Sequence, residues 1–531
     1  MAENKFKITV FLLLIIFVFK AESEENYCKD RLPKIINNFA PTIVPVITLD
    51  GKYLYFDRKG HPENTGSIWD IDEIWFSEKI DGKYWSEPQR LQMPYNTNGS
   101  DVLFSISPDG RKALIYGKYS DTNSNVKIPG YSIAYRKDNI FQDIVPLEIN
   151  NYYNNSKNYY AHLSSDGKTL LFSLIRADII GGEDIYVSFL DDASNIWTSP
   201  VNLGKAVNSE SDDISPYLAY DGRTLYFSSN RRNSYGDFDL FMTRRLDNSW
   251  SKWSKPLNLG STINSVFKES GFSLTALSDT AYIVSSEYQV IPSNDEIKLY
   301  DSIDMRHGIY RVCIPEKYRP LPYSIIQGKI FRFIGNKKIA FKKPVEFSIK
   351  FDNNFYQDFV YTADISIGKY IFVIPSDVEA KIHATADSFE PVEFKISTKT
   401  LDKPDFTTRD IILNRTGNKR EGLVNPVPFV TIYFQVDDFK LTNDNEEKLY
   451  NALINIDNMT NKYFLITGHA DESGTEEYNY NLSKSRSVSA RDYLRKLGIP
   501  NENIVVDAKG ELNPVSIDPG LNRRVEIYLS D

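Results

Sequence analysis

The stretch Asp166-Gly167-Lys168-Thr169-Leu170-Leu171-Phe172 decides the fold, because the chain keeps returning to it. It recurs as Asp50-Gly51-Lys52-Tyr53-Leu54-Tyr55-Phe56, as Asp109-Gly110-Arg111 and as Asp221-Gly222-Arg223-Thr224-Leu225-Tyr226-Phe227. A degraded fifth copy is Ser278-Asp279-Thr280-Ala281-Tyr282-Ile283-Val284. From Asp50 to Asp279 the aspartates stand 59, 57, 55 and 58 residues apart. An Asp-Gly pair between apolar runs marks a β-hairpin, since its turn needs positive φ angles that glycine adopts without strain. A third strand with an acidic-apolar-aromatic signature follows at Asp72-Glu73-Ile74-Trp75, Glu183-Asp184-Ile185-Tyr186 and Asp239-Leu240-Phe241. A fourth carries Trp then Pro: Trp85 and Pro88, Trp197 and Pro200, Trp253 and Pro256.

Four short antiparallel strands per copy predict one blade of a β-propeller, giving five blades, with six as the alternative. The repeated aspartates read as turn residues rather than ligands. The fifth copy lacks its fourth strand and runs from Ile309-Tyr310-Arg311-Val312-Cys313 into proline-rich sequence at Pro315, Pro320 and Pro322. Leu32-Pro33-Lys34-Ile35 is placed to supply that strand and close the ring. Cys28 and Cys313 then fall on neighbouring strands, either as a disulfide across the closure or as two free buried thiols. The repeats resemble the WD40-like, TolB-type (PD40) propeller repeats of periplasmic proteins over residues 28–320, Ser107-Pro108-Asp109-Gly110 being the most recognisable piece. That resemblance implies a protein-interaction scaffold and no particular reaction.

Composition fits several mainly β domains. The 531 residues are 13% aromatic, with 34 Tyr and 31 Phe, a surplus that favours strands. A formal net charge of −9 without any basic block gives no reason to expect a nucleic-acid partner. At the start, Lys5 and Lys7 precede the apolar run Ile8 to Phe19 and the triplet Ala21-Glu22-Ser23. This predicts a signal peptide over residues 1–23, the run being too short to span a bilayer. Cys28 follows Glu24-Glu25-Asn26-Tyr27, which is not a lipobox.

Beyond the repeats, residues 323–398 alternate plainly, with strand-like runs at Ile325-Ile330, Val345-Ile349, Tyr370-Val373 and Val392-Ile396. They predict a seven- or eight-stranded antiparallel β-sandwich. Gly368-Lys369-Tyr370-Ile371-Phe372 with Pro375 resembles carboxypeptidase-regulatory-like domains, which implies a rigid spacer. Residues 399–424 read as a linker, with Ile411-Leu413 able to finish the sandwich.

Residues 425–531 change period again. Val430, Ile432 and Phe434 alternate as a strand, Asn443 with Glu446 predicts a capping box, and Leu449, Leu453 and Ile456 share a helical face. A strand at Tyr463-Thr467, a helix from Glu476 to Lys496, a strand at Ile504-Ala508 and a last strand through Val525, Ile527 and Leu529 complete a two-layer α/β domain. Gly468-His469-Ala470-Asp471-Glu472-Ser473-Gly474 stands between the second strand and second helix. With Tyr478-Asn479-Tyr480-Asn481-Leu482-Ser483-Lys484-Ser485-Arg486, Gly510-Glu511-Leu512-Asn513-Pro514 and Asn522-Arg523-Arg524-Val525-Glu526, it closely resembles the OmpA-like peptidoglycan-binding domain. Asp471 lies ahead of a helix start, and Asn479, Ser483 and Arg486 follow at i, i+4 and i+7 on one helical face. Asp471 and Arg486 thus suit a clamp for a zwitterion, or else pair with each other. The resemblance implies diaminopimelate of the peptidoglycan stem peptide as the ligand, with Asp471, Asn479, Arg486, Arg523 and Arg524 as binding residues. Two departures stand out: Ala470 replaces the family's usual Thr, and the segment between Pro514 and Asn522 is short.

No nucleophile elbow, His-Glu-x-x-His or zinc-spaced cysteine pair is present, and His61, His162, His307, His383 and His469 are scattered. No cofactor, metal or catalytic residue is expected. The expectation is a non-catalytic periplasmic tether, bound to the wall beside the outer membrane and offering its propeller to envelope proteins. The alternatives are a periplasmic ligand receptor, a hydrolase using the propeller mouth, or a wall-anchoring component of a type IX-like secretion apparatus, whose domain order this chain resembles.

Overall fold

The computed structural model describes residues 28–530, apart from 39, 70, 93, 98, 120–126, 138–139, 292–301, 335–336, 364–367, 417–427, 455, 457–458, 460–461 and 517. The expected signal peptide at 1–23 and the last part of the expected linker lie outside the described residues. Among the described residues the chain is mainly β, in eight separate sheets, with its α-helices confined to the C-terminal part. Among the described residues no helix is long and apolar enough to cross a membrane.

Five four- or five-stranded antiparallel sheets follow one another to residue 313. Their first strands are Thr42–Ile47, Leu103–Ile106, Tyr160–Leu163, Asp213–Leu218 and Glu269–Leu274, and each packs against the first strand of the next. The last of them also packs on Thr42–Ile47, so the five sheets make a cycle of contacts. Five apolar cores, each shared by two consecutive sheets, fill that cycle. The core joining the fifth sheet to the first contains Leu32, Ile36, Ile47, Phe56, Trp75 and Ile309. Serine hydroxyls pin neighbouring sheets to one another: Ser105 accepts from Leu163 N–H at 3.1 Å and Ser273 from Ile47 N–H at 3.0 Å.

The hairpin turns use their residues as the chemistry demands. Gly51, Gly110, Gly167 and Gly222 have φ between 65° and 72°. The preceding aspartates accept the backbone N–H two residues on, at 2.9 to 3.0 Å. In the fifth copy the positive φ of 59° falls on Ser278. Ser278 N–H donates to Thr275 O there, as Gly222 N–H does to Ala219 O. Leu277 therefore occupies the turn-aspartate position, and Asp279 lies two residues past it.

One repeated device was not read from the sequence. Asn96, Asn208 and Asn264 each accept the N–H and donate to the C=O of one third-strand residue (Ile74, Ile185 and Leu240) at 2.8 to 3.0 Å. Asn37 does the same to Ile309 of the fifth sheet, both bonds at 2.8 Å. The N-terminal segment thus serves the last sheet as residues 96, 208 and 264 serve theirs. Its strand is Lys29–Arg31, antiparallel to Ser302–Cys313, rather than residues 32–35. Cys28 and Cys313 are joined by a disulfide, with Cα atoms 5.0 Å apart.

Two facing sheets follow. One is built on the long strand Ser324–Ile334; the other has the order Phe359–Thr362, Glu346–Phe351, Glu379–Thr385, Val392–Ser397. Ile326, Tyr370 and Phe372 of one meet Phe347, Ile349 and Ile382 of the other in a single core. The all-antiparallel expectation ending at 398 needs correcting. Asp405–Thr408 and Ile411–Leu413, in the segment read as a linker, run parallel to Ser324–Ile334. This pair of sheets is seated on the ring: Tyr356 hydroxyl donates to Asp221 O and accepts from Arg223 Nε, both at 2.9 Å.

The C-terminal sheet has the order Val430–Tyr433, Arg524–Ser530, Tyr463–Gly468, Ile504–Ala508, its last pair parallel. Helix α1 spans Asn443–Leu453 and buries Leu449 and Leu453. Its cap is Thr442, whose hydroxyl accepts Asn445 N–H at 3.2 Å, one residue before the Asn443 expected. Helix α2, Glu476–Lys496, crosses between the parallel strands.

Candidate ligand-binding site of the C-terminal domain

Helix α2 fixes where the expected site residues go. Thr475 caps it, accepting Tyr478 N–H at 3.2 Å, with Glu476 and Glu477 in the first turn and Arg495 and Lys496 in the last. These charges complement the helix dipole. Asn479, Ser483 and Arg486 share one face, as their spacing predicts, but that face is buried. A Cβ on Gly468 would come within 2.0 Å of the Ser483 carbonyl oxygen, so only glycine lets strand and helix approach so closely. Ser483 hydroxyl donates to Tyr480 O at 2.8 Å and accepts Gly510 N–H at 3.0 Å. The Asn479 amide donates to the Glu511 carboxylate.

Arg486 is fully buried, at 0% exposure. Its Nε donates to Asp438 O at 2.8 Å, Nη1 to His469 O at 3.1 Å and Nη2 to Gln435 O at 3.0 Å. Burial pushes its pKa down to about 10, which leaves it charged at neutral pH. One guanidinium thereby ties together the ends of two strands and a helix. Three of its five N–H groups go to backbone carbonyls, so in this structure Arg486 fixes the loops around Asp471.

Asp471 pairs with Arg523 instead, Oδ2 to Nη1 at 2.7 Å, their side chains 9% and 15% exposed. Asp471 also accepts from the hydroxyl and the N–H of Ser473, while Arg523 Nε donates to Phe434 O at 3.2 Å. Burial alone would raise the Asp471 pKa, but the bonds from Ser473 and Arg523 outweigh it and hold the carboxyl below its usual range. Asp471 is therefore ionised at neutral pH, and Arg523 is the more exposed partner of the pair. Arg524 belongs to another network, donating to Glu526 at 2.8 Å and to Asn513 O at 3.3 Å. Glu526 also accepts from Tyr528 at 2.7 Å and has His469 Nε2 at 3.3 Å. Burial opposes its charge, yet these partners bring its pKa down to about 2.

Of the five residues expected to bind, the structure joins Asp471 to Arg523, sets Asn479 and Arg486 in the buried layer of α2, and gives Arg524 to Glu526. The sequence reading missed the carbonyls of Gln435, Asp438 and His469, and also Ser473, Glu511 and Glu526. Glu511 and Glu526 sit inside quoted motifs and were within reach; backbone carbonyls leave no side-chain signature. Among the described residues no cluster of three or more His, Cys, Asp or Glu is placed to hold a metal ion.

These features define an OmpA-type domain: residues 433–527 match the family model described as "OmpA family". Among characterised proteins, the chain is similar to a peptidoglycan-associated lipoprotein of Agrobacterium fabrum, 30% identical over 86 residues, covering 16% of this chain and 49% of that protein. It is also similar to an outer membrane protein A of Bordetella avium, 39% identical over 70 residues, covering 12% of this chain and 36% of that protein. The chain therefore spans half or less of the length of these relatives. Among solved structures, the peptidoglycan-associated lipoprotein from Burkholderia pseudomallei is 25% identical, covers 19% of this chain and 89% of its own, and has a TM-score of 0.18.

Proposed function

We propose that this protein is a non-catalytic tether of the bacterial envelope, which grips peptidoglycan without a covalent bond through residues 425–531. Its domains are a five-bladed propeller at 28–320, a sandwich spacer from 323 that takes in Ile411–Leu413, and the wall-binding domain. The observation that carries the reading is the Asp471–Arg523 pair, its side chains 9% and 15% exposed, within an OmpA-type domain. Similarity to peptidoglycan-associated lipoproteins supports peptidoglycan as its ligand.

A zwitterionic amino-acid centre such as diaminopimelate separates the pair, offering its ammonium to Asp471 and its carboxylate to Arg523. Two intermolecular charge-assisted bonds then replace one internal ion pair, each worth about 1.5–3 kcal/mol. Arg486 and Asn479 position the loops, and Arg524 acts through Glu526. Supporting the propeller are the cycle of first-strand contacts and the five inter-sheet cores. Its role is to present a surface to envelope proteins, and its place is the periplasm, beside the wall and outer membrane.

Cosedimentation with purified peptidoglycan sacculi tests this. Asp471→Ala and Arg523→Ala should each lower the bound fraction at least tenfold while the protein stays folded. Unchanged binding by both variants would remove the site assignment.

A further inference from the structure

A cleft of about 250 Å³ lies where the ring meets the two facing sheets. It is lined from the ring by Trp250, Arg245 and Asp166, and from the other side by Phe355 and Gln357. Arg245 is 5% exposed, and among the described residues no carboxylate comes within ion-pair distance of it. Only its Nη2 is donated to the protein, to Gly222 O at 3.0 Å and more weakly to Phe355 O at 3.5 Å. Nε is buried without an acceptor, and no acceptor meets Nη1 among the described residues.

The rings of Trp250 and Phe355 each lie 4.3 Å from the guanidinium centre. Aromatic contact holds a cation but does not satisfy its N–H groups, so what Arg245 has left to offer is donors along its edge. Asp166, the acidic residue in the lining, makes no ion pair with Arg245, and its Oδ1 accepts from Ser164 and from Lys168 N–H. A buried cation with spare donors, set between aromatic walls among hydroxyl and amide side chains, is the composition of a site for a polar ligand.

We infer that this cleft binds a small carboxylate carrying a ring, its carboxylate on the edge of Arg245 and its ring against Trp250 and Phe355. A planar carboxylate matches the planar donors, and the volume suits a body the size of one sugar or one aromatic amino acid. Because both halves of the molecule line the cleft, the ligand also joins them. The proposal is independent of wall binding, which uses other residues.

Calorimetric titration of the purified full chain with N-acetylphenylalanine, glucuronate and benzoate, each beside its carboxamide, tests it. Saturable binding of at least one acid is expected, with its amide weaker by roughly tenfold or more, the loss of a charge-assisted hydrogen bond. N-acetylphenylalanine binding best points to a peptide end, and glucuronate to an acidic sugar. Arg245→Gln should abolish binding. Since that variant removes a buried, packed group, Gln357→Trp serves as the second: Gln357 is exposed and lines the cleft, and the larger side chain is expected to fill it. The inference is overturned if no acid binds, if acid and amide bind alike, or if binding survives either substitution.

Discussion

Arg486 and Arg523 show how two arginines of one domain divide the work. Arg486 donates to three backbone carbonyl oxygens and, among the described residues, pairs with no carboxylate, whereas Arg523 pairs with that of Asp471. Arg486→Ala leaves those carbonyls unpaired and should cost about 3–5 kcal/mol, read as a lowered denaturation midpoint. Arg523→Ala should cost less, about 1.5–3 kcal/mol, since the largely buried Asp471 carboxylate loses one charge-assisted bond but keeps those from Ser473. Spacing along α2 correctly put Asn479, Ser483 and Arg486 on one face. It carried no information about whether that face meets ligand or protein, since a polar helical face is buried wherever backbone ends need donors. Glu526 gives the pH dependence. Its folded pKa of about 2 lies below the ordinary 4.5, so its stabilisation is full above pH 4.5 and is lost as pH falls towards 2. Thermal midpoints between pH 2 and 5 should therefore fall less steeply in Glu526→Gln than in the parent protein.

At the scale of elements, the Asp-Gly hairpins and the strands and helices of the last hundred residues were legible because local chemistry dictates them. Gly51, Gly110, Gly167 and Gly222 each supply the positive φ their turn requires. The asparagine clasps were not legible. Asn37, Asn96, Asn208 and Asn264 act on residues 22 to 272 positions away, a relation no local pattern exposes. Likewise Asp405–Thr408 looks like a linker, because its strand character comes only from the edge of Ser324–Ile334. Asn208→Ala should cost about 2–4 kcal/mol, two buried backbone groups being left unpaired at Ile185. Asn37→Ala should cost a similar amount and also release the N-terminal strand. Hydrogen exchange at the Ile309 amide would rise in the Asn37 variant and stay unchanged in the Asn208 variant.

For the whole molecule, the decisive feature is that the beginning of the described chain completes its fifth sheet. Cys28 and Cys313 are separated by 285 residues, so their bond restricts a very large loop of the unfolded chain. Cys28→Ser with Cys313→Ser should lower stability by about 2–5 kcal/mol without changing the fold, measured as a shift in the denaturant midpoint under non-reducing conditions. The aromatic contacts of Tyr356 and Phe355 with Arg223 and Arg245 make the ring and the two facing sheets one continuous packed body.

The same closure sets an order on assembly. Whichever way the chain emerges, from a ribosome or through a pore, Lys29–Arg31 and Asn37 come out long before Ile309 exists to receive them. The first four sheets can form as they appear, each from contiguous chain, while that early segment waits as an unpaired end. Only when residue 313 arrives does the ring lock, in a step that needs both ends on the same side of any barrier. A chain halted before that point has four sheets with an open flank at each end, and should be the form that proteases and aggregation find first.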